Sequence, residues 1–244
     1  MCFNYDGEIY TQKEGEDPKK VNIKIFADNQ YNNNQYTNLN SSLRELAVSP
    51  DGDEVAFIMR GELFVTSVKY NTTKRITNTP EQERSVSFSP DGKALLYAGE
   101  RNGSWNLYQT KLVREEEKKF ANSTILKEET ILENVEETFQ PAYSPDGKEV
   151  AFLSNRTSLK VINLASKQVR TITDGSTSYS YADGDQWYQW SPDGKWFVFQ
   201  YSDNHLFRGD IAVIEASGAG KLKRTDERTN HFCDCSPTLN NSTS

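Results

Sequence analysis

The sequence predicts an all-β fold, a β-propeller built from four-stranded antiparallel blades, and three observations point there. The tetrapeptide Ser-Pro-Asp-Gly occurs at Ser49–Gly52, Ser89–Gly92, Ser144–Gly147 and Ser191–Gly194, at spacings of 40, 55 and 47 residues. Its flanks repeat at fixed offsets. Val48, Phe88, Tyr143 and Trp190 precede the serines; Val55, Leu95, Val150 and Phe197 follow the glycines by three, and Phe57, Tyr97, Phe152 and Phe199 by five. Between successive turns lie short apolar runs of strand length, and four short strands every 40 to 50 residues or so is the period of a propeller blade.

The elements follow in chain order. Phe3–Thr11 and Val21–Phe26 read as two strands with no preceding turn, the outer strands of a partial blade over residues 1–28. The Asn/Gln-rich run Asn29–Asn40 connects into the first full blade. Full blades are expected at 41–80, 81–135, 136–175 and 183–225. In each, a first strand enters the Ser-Pro-Asp-Gly turn, where Pro fixes φ, Asp bonds its own backbone and Gly takes φ > 0. The second strands, such as Glu54–Ile58, Ala94–Ala98 and Trp196–Gln200, are apolar on both faces, as expected between two neighbouring sheets. Third strands follow at Glu62–Ser67, Trp105–Gln109, Leu159–Asn163 and Asp210–Ile214, and more polar fourth strands end at Lys74–Thr77 and Val169–Thr173. The 55-residue spacing reflects an insertion between outer strands at Lys111–Glu129, whose run Arg114–Lys119 reads as a solvated loop or short helix. Ser236-Pro237 is a degenerate fifth copy of the turn, and 226–244 reads as a partial blade or an irregular tail. The ring either closes as five blades with an incomplete last one or stays open, exposing strand edges and apolar faces that favour self-association.

Composition excludes several functions. The 244 residues carry 28 Lys+Arg against 35 Asp+Glu, a net charge of −7, which opposes a nucleic-acid groove. Nothing approaches the ~18 consecutive apolar residues of a membrane helix, and Met1–Gln30 lacks the apolar stretch of a signal peptide. Cys2, Cys233 and Cys235 form no closed disulfide framework, and the one-residue gap in Cys233-Asp-Cys235 departs from zinc spacing.

The four turns, with Arg75-Ile-Thr-Asn-Thr-Pro80, Ser154-Asn-Arg156 and Tyr181-Ala-Asp-Gly-Asp-Gln-Trp-Tyr-Gln-Trp190, give the chain its family likeness. It resembles the PD40/WD40-like propellers of the TolB type and, more closely, the amino-terminal propeller of tricorn-like S41 serine peptidases. That resemblance implies a noncatalytic module guiding or binding peptide substrate of a larger peptidase in the cell envelope. The alternative it implies is an independent TolB-like scaffold for a protein partner. The PDZ module and serine nucleophile region that follow the propeller in such peptidases have no counterpart here, so a fragment of a longer protein is expected.

The chemistry-bearing residues are few. The two histidines, His205 beside Asp203 and His231, form no nucleophile-base arrangement, and no catalytic site or cofactor is expected. Asp183 and Asp185, one residue apart, could converge on a hard cation such as Ca²⁺ or simply shape a turn. First strands line a propeller's channel, so the residues five before each turn serine, Arg44, Arg84, Phe139 and Gln186, are expected to line it, with Glu83 and Asp185 one position earlier. Trp190 takes the repeat's core position, whereas Trp187 and Tyr188 are expected to reach a surface. A mixed-charge channel of this kind fits a peptide or protein partner.

Overall fold

A computed structural model describes residues 1–5, 8–23, 43–176, 178–180, 186–202 and 209–224, and among them there is no helix. The chain divides into two units, Met1–Asn40 and Ser41–Ser244. The first holds one antiparallel sheet of β1 (Cys2–Tyr5), β2 (Glu8–Thr11) and β3 (Lys19–Lys20). Here the sequence reading is corrected: Phe3–Thr11 is two strands, paired from Cys2↔Thr11 to Tyr5↔Glu8. The physical reason lies in Asp6-Gly7, a dipeptide favoured for two-residue hairpin connections, which separates them in sequence. Phe3 stacks on Tyr10 at 5.8 Å across this pair.

The second unit contains four antiparallel sheets, each with its strands in chain order. They are β4 (Leu43–Val48), β5 (Glu54–Met59), β6 (Glu62–Ser67) and β7 (Thr73–Arg75); then β8 (Glu83–Phe88), β9 (Ala94–Arg101), β10 (Ser104–Leu112) and β11 (Leu126–Leu132). The third comprises β12 (Thr138–Tyr143), β13 (Glu149–Ser154), β14 (Ser158–Asn163) and β15 (Val169–Thr171); the fourth, β16 (Tyr188–Trp190), β17 (Trp196–Ser202), β18 (Gly209–Glu215) and β19 (Lys223–Arg224). All-β, four-stranded and repeated, the architecture is that of a propeller.

Three apolar layers hold the sheets face to face. Ala56, Ile58, Leu63 and Val65 of the first meet Val86, Leu95, Tyr97 and Tyr108 of the second. Leu96, Ala98 and Leu107 meet Val150, Phe152 and Ile162. Leu153, Leu159 and Val161 meet Trp190, Phe197, Phe199 and Ile214. Alternate residues of a strand face opposite sides, so a sheet between two others must be apolar throughout. β9 and β13 are buried on both faces accordingly. In β5 and β17 full burial instead alternates with half-burial, although their sequences are equally apolar. Leu46 and Val48, on the half-covered side of the first sheet, are 61% and 56% exposed.

The Ser-Pro-Asp-Gly turns are built alike. Each serine hydroxyl donates to its aspartate, at 2.7, 2.6, 2.7 and 2.5 Å in chain order. The same carboxylate accepts the N–H of Asp53, Lys93, Lys148 or Lys195. Each serine Oγ also accepts the N–H five residues on, closing the turn onto the second strand. The turns further pack on one another from sheet to sheet. Pro50 lies over Gly92, Pro90 over Gly147 and Pro145 over Gly194, each leaving 3.6 Å between proline Cδ and the place a Cβ would take. The glycines sit at φ near +70°, and it is this backbone conformation that disfavours a side chain there.

These turns give the fold an acid-sensitive element. Asp51 is held below the ordinary carboxylate range by Lys119 and Ser49, Asp146 by Ser144, and Asp193 by Ser191; at Asp91 burial pushes upward, but Ser89 and the Lys93 N–H keep it low. A carboxylate whose folded pKa is depressed stabilises the fold above its unfolded value, about 3.9 for Asp, and loses that contribution as pH falls toward the folded value. The melting temperature is therefore expected to change little between pH 7 and 5 through these groups and to fall below about pH 4. Thermal melts of Asp146→Asn check this: the variant should be less stable than the parent at pH 7, with the gap narrowing in acid.

Candidate channel-mouth binding site

The first strands β4, β8 and β12 lie next to one another. β8 and β12 break their pairing at the same place, between Arg84 and Ser87 and between Phe139 and Ala142, and β4 breaks slightly earlier, between Leu43 and Glu45. At the bulge, four residues before the turn serine, Ser85 and Gln140 take φ of 59° and 49°. Left-handed backbone at a non-glycine residue costs of order 1–3 kcal/mol, so the surroundings must hold it there. They do so from sheet to sheet: Glu45 Oε2 accepts the Ser85 N–H, and Gln140 Nε2 donates to the Gln186 carbonyl at 2.9 Å. A bulge re-aims the side chains beside it, and the residue beside it is Arg44, Arg84 or Phe139.

Arg44 and Arg84 come together. Both line a cavity of roughly 310 Å³ between the first two sheets, with Arg60 and Gly61 of the β5–β6 hairpin, Ile58, Gln82, and the carboxylates Glu45 and Glu83. The hairpin is tied to this wall by the Glu83 N–H donating to the Gly61 carbonyl at 2.7 Å. Glu83, with its side chain wholly buried, pairs with Arg101 at 2.8 Å and accepts from Thr77 and Thr79 at 3.0 and 2.9 Å. Burial pushes its carboxyl above the ordinary range against the pull of Arg101 and the two hydroxyls.

Arg84 joins the cavity to an aromatic strip. Its guanidinium lies over Trp105 at 5.3 Å, Trp105 meets Phe139 at 5.5 Å, and Arg156 covers Phe139 at 5.4 Å. Cation–π contacts hold both guanidinium groups by the face, and Arg156 also reaches Glu137 at 3.9 Å. Gln186 is buried, with its side-chain amide donating to the Tyr179 carbonyl, and stands at the next step of the strip through its bond from Gln140. Trp187 is half-buried and is fixed through its carbonyl, which accepts from the Gln200 N–H at 2.9 Å. Asp183, Asp185, His205, His231, Cys233 and Cys235 lie outside the described residues. Among the described residues no group of three or more His, Cys, Asp or Glu could hold a metal ion.

Arg60, Trp105 and Arg156 escape an alignment of first strands because they belong to second and third strands and the hairpins between them. Their signal in the sequence is the hairpin tip: Arg60, Asn102 and Asn155-Arg156 all take positive φ at the same point of successive sheets. A second cavity of roughly 450 Å³ is lined by Arg170, Lys195, Trp196 and Glu215, and its guanidinium is already engaged. Arg170 grips Glu149 through two bonds of 2.5 and 2.6 Å, and Lys223 caps Trp196 at 5.0 Å.

No protein-family model matches the chain. It is 27% identical over 156 residues to the Tol-Pal system protein TolB of Francisella tularensis subsp. tularensis, a match covering 59% of this chain and 33% of that protein. The chain thus spans about a third of the relative it matches. A TolB structure from Agrobacterium tumefaciens superimposes with a TM-score of 0.57 over 91% of this chain and 75% of the other, at 21% identity. TolB from Acinetobacter baumannii gives 0.56 over 89% and 48%, at 20% identity. The fold is a TolB-type β-propeller. The tricorn protease superimposes on this TolB-type propeller with a TM-score of 0.51, over 91% of this chain and 20% of that one, at 14% identity, which is a likeness of fold alone.

Proposed function

We propose that this TolB-type propeller is a noncatalytic scaffold that binds a protein partner at the mouth formed by the first three sheets. The observation that carries the reading is the strip Arg84–Trp105–Phe139–Arg156, which runs unbroken from the second sheet to the third beside the arginine-lined cavity. Arginine and aromatic residues are enriched where protein interfaces concentrate their energy, and residues serving only the fold would be covered by other sheets. Phe139 is itself buried, under Arg156, whereas Arg44, Arg60, Gln82, Arg84, Trp105 and Arg156 are half-buried or exposed. The relative's name, a Tol-Pal system protein, supports a protein partner over a small metabolite. A tricorn-like peptide-guiding role is the second reading, and it rests on likeness of fold.

Affinity capture from the source cells separates them. The full chain is compared with Arg156→Glu, placed in the strip, and Lys195→Glu, placed at the fourth turn. A single stoichiometric partner is expected with the parent and with Lys195→Glu, and at least tenfold less with Arg156→Glu while its melting temperature stays within a few degrees. Equal capture by both variants would overturn the placement. Absence of a stoichiometric partner, with weak binding of reduced, carboxymethylated polypeptides, would favour the peptide-guiding role.

A further inference from the structure

The cavity beside the strip has its own chemistry. Its rim carries three guanidinium groups, from Arg44, Arg60 and Arg84, in a chain whose net charge is −7. Of its two carboxylates, Glu83 is neutralised by Arg101 and Glu45 accepts a backbone N–H of β8. No carboxylate among the described residues pairs with Arg44 or Arg60. The floor is Ile58, which is buried. A small cavity with an apolar floor and two arginines that pair with no described carboxylate has the make-up of an anion receptor, because a guanidinium fork matches a planar oxyanion through paired N–H donors.

We infer that the Arg44–Arg60–Arg84 cavity captures a carboxylate of a bound polypeptide whose neighbouring apolar side chain lies on Trp105. The inference rests on the protein-binding reading of the mouth. Size and charge favour this ligand: roughly 310 Å³ suits one residue-sized group. A carboxylate offers the two guanidinium groups of Arg44 and Arg60 one planar pair of oxygens, whereas a phosphate monoester carries about −1.5 to −2 on three oxygens. Arg84 supplies the link to an apolar neighbour, since the same guanidinium that lines the cavity lies on the Trp105 ring. The carboxylate could come from a chain terminus or from an Asp or Glu side chain, and both offer the same planar pair of oxygens.

Fluorescence anisotropy with three labelled pentapeptides tests it: Ala-Ala-Ala-Leu-Phe with a free carboxyl terminus, the same peptide amidated, and amidated Ala-Ala-Glu-Leu-Phe. A carboxylate is expected to tighten binding about 10-fold or more over the amidated peptide, the size of a charge-assisted hydrogen bond. Whichever carboxylate peptide binds tighter identifies the source. The preference should vanish in Arg44→Met/Arg60→Met and survive in Lys195→Glu. Equal binding of all three peptides, no binding by any, or a preference untouched in the double variant would overturn the inference. Partner capture by the double variant keeps the two claims apart. If the partner is still held while the carboxylate preference is absent in the parent, the mouth reading stands and this inference falls.

Discussion

Truncating Phe120 to alanine is expected to destabilise the second unit by about 3–5 kcal/mol, the usual cost of removing a fully buried phenylalanine. The side chain has no exposed surface and sits in the layer between the first two sheets, edge-on to Phe88 at 6.1 Å. Its flanks are pinned to the first sheet. The Ala121 N–H donates to Glu54 at 2.7 Å, Lys74 donates to the Ser123 carbonyl, and Lys119 pairs with Asp53 at 3.1 Å and with Asp51. The segment between β10 and β11 therefore acts as a clamp that fills the outer end of the inter-sheet core. A solvated loop would behave differently, since surface substitutions usually stay within about 0.5 kcal/mol. Urea unfolding of Phe120→Ala beside Lys118→Ala distinguishes the two. A loss under about 1 kcal/mol for Phe120→Ala would mean that the segment peels from the core in solution.

Why this clamp is illegible in the sequence explains much about what else is and is not. A repeat announces itself because the same turn geometry demands the same residues each time: Pro for φ, Asp for the serine hydroxyl and a backbone N–H, Gly for φ near +70°. The four sheets, their order and the antiparallel pairing follow from that period. Phe120 has no such signal, being a single aromatic after the charged run Arg114–Lys119, and one residue has no periodicity to read. The end sheets show the converse limit. Val55 and Phe57 are as apolar as their counterparts in β9 and β13, yet only half-buried, because strand pattern records which faces suit a neighbour rather than which neighbour is there. At the mouth, counting back from each turn finds Arg44 and Arg84 together because the strand register is shared. The bulge beside them is hidden, since Ser85 and Gln140 hold positive φ without a glycine, fixed by contacts from the sheet next door. Arg60, Trp105 and Arg156 reach the same surface from other strands, and only three-dimensional pairing puts them there.

The Glu83–Arg101 pair should respond to substitution as strongly as the clamp. Arg101→Met is expected to cost about 3–5 kcal/mol at pH 7, because it leaves a carboxylate buried with only neutral donors. Glu83 is already pushed up by burial with Arg101 present, so removing the cation raises it further. A group whose folded pKa lies above its unfolded value binds more protons when folded, so its stabilising contribution is lost as pH rises through the folded pKa. The deficit of Arg101→Met should therefore be smaller near pH 5 than at pH 8. Glu83→Gln/Arg101→Met should recover most of the loss, since a neutral amide can keep the bonds to Thr77 and Thr79. Thermal melts of the parent and the two variants at both pH values check this, and a deficit that is the same at each pH and persists in the double variant would show that lost packing on Tyr108, where Arg101 sits 4.9 Å from the ring, is the larger effect. The pair also bears on the mouth. Glu83 and Gln82 are anchored by backbone bonds to Gly61 and Glu100, so a destabilised Glu83 loosens the wall that positions Arg60 and Arg84. Arg101→Met, which touches no ligand, should then weaken carboxylate peptides at pH 8 more than at pH 5, linking a buried charge in the second sheet to recognition at the cavity.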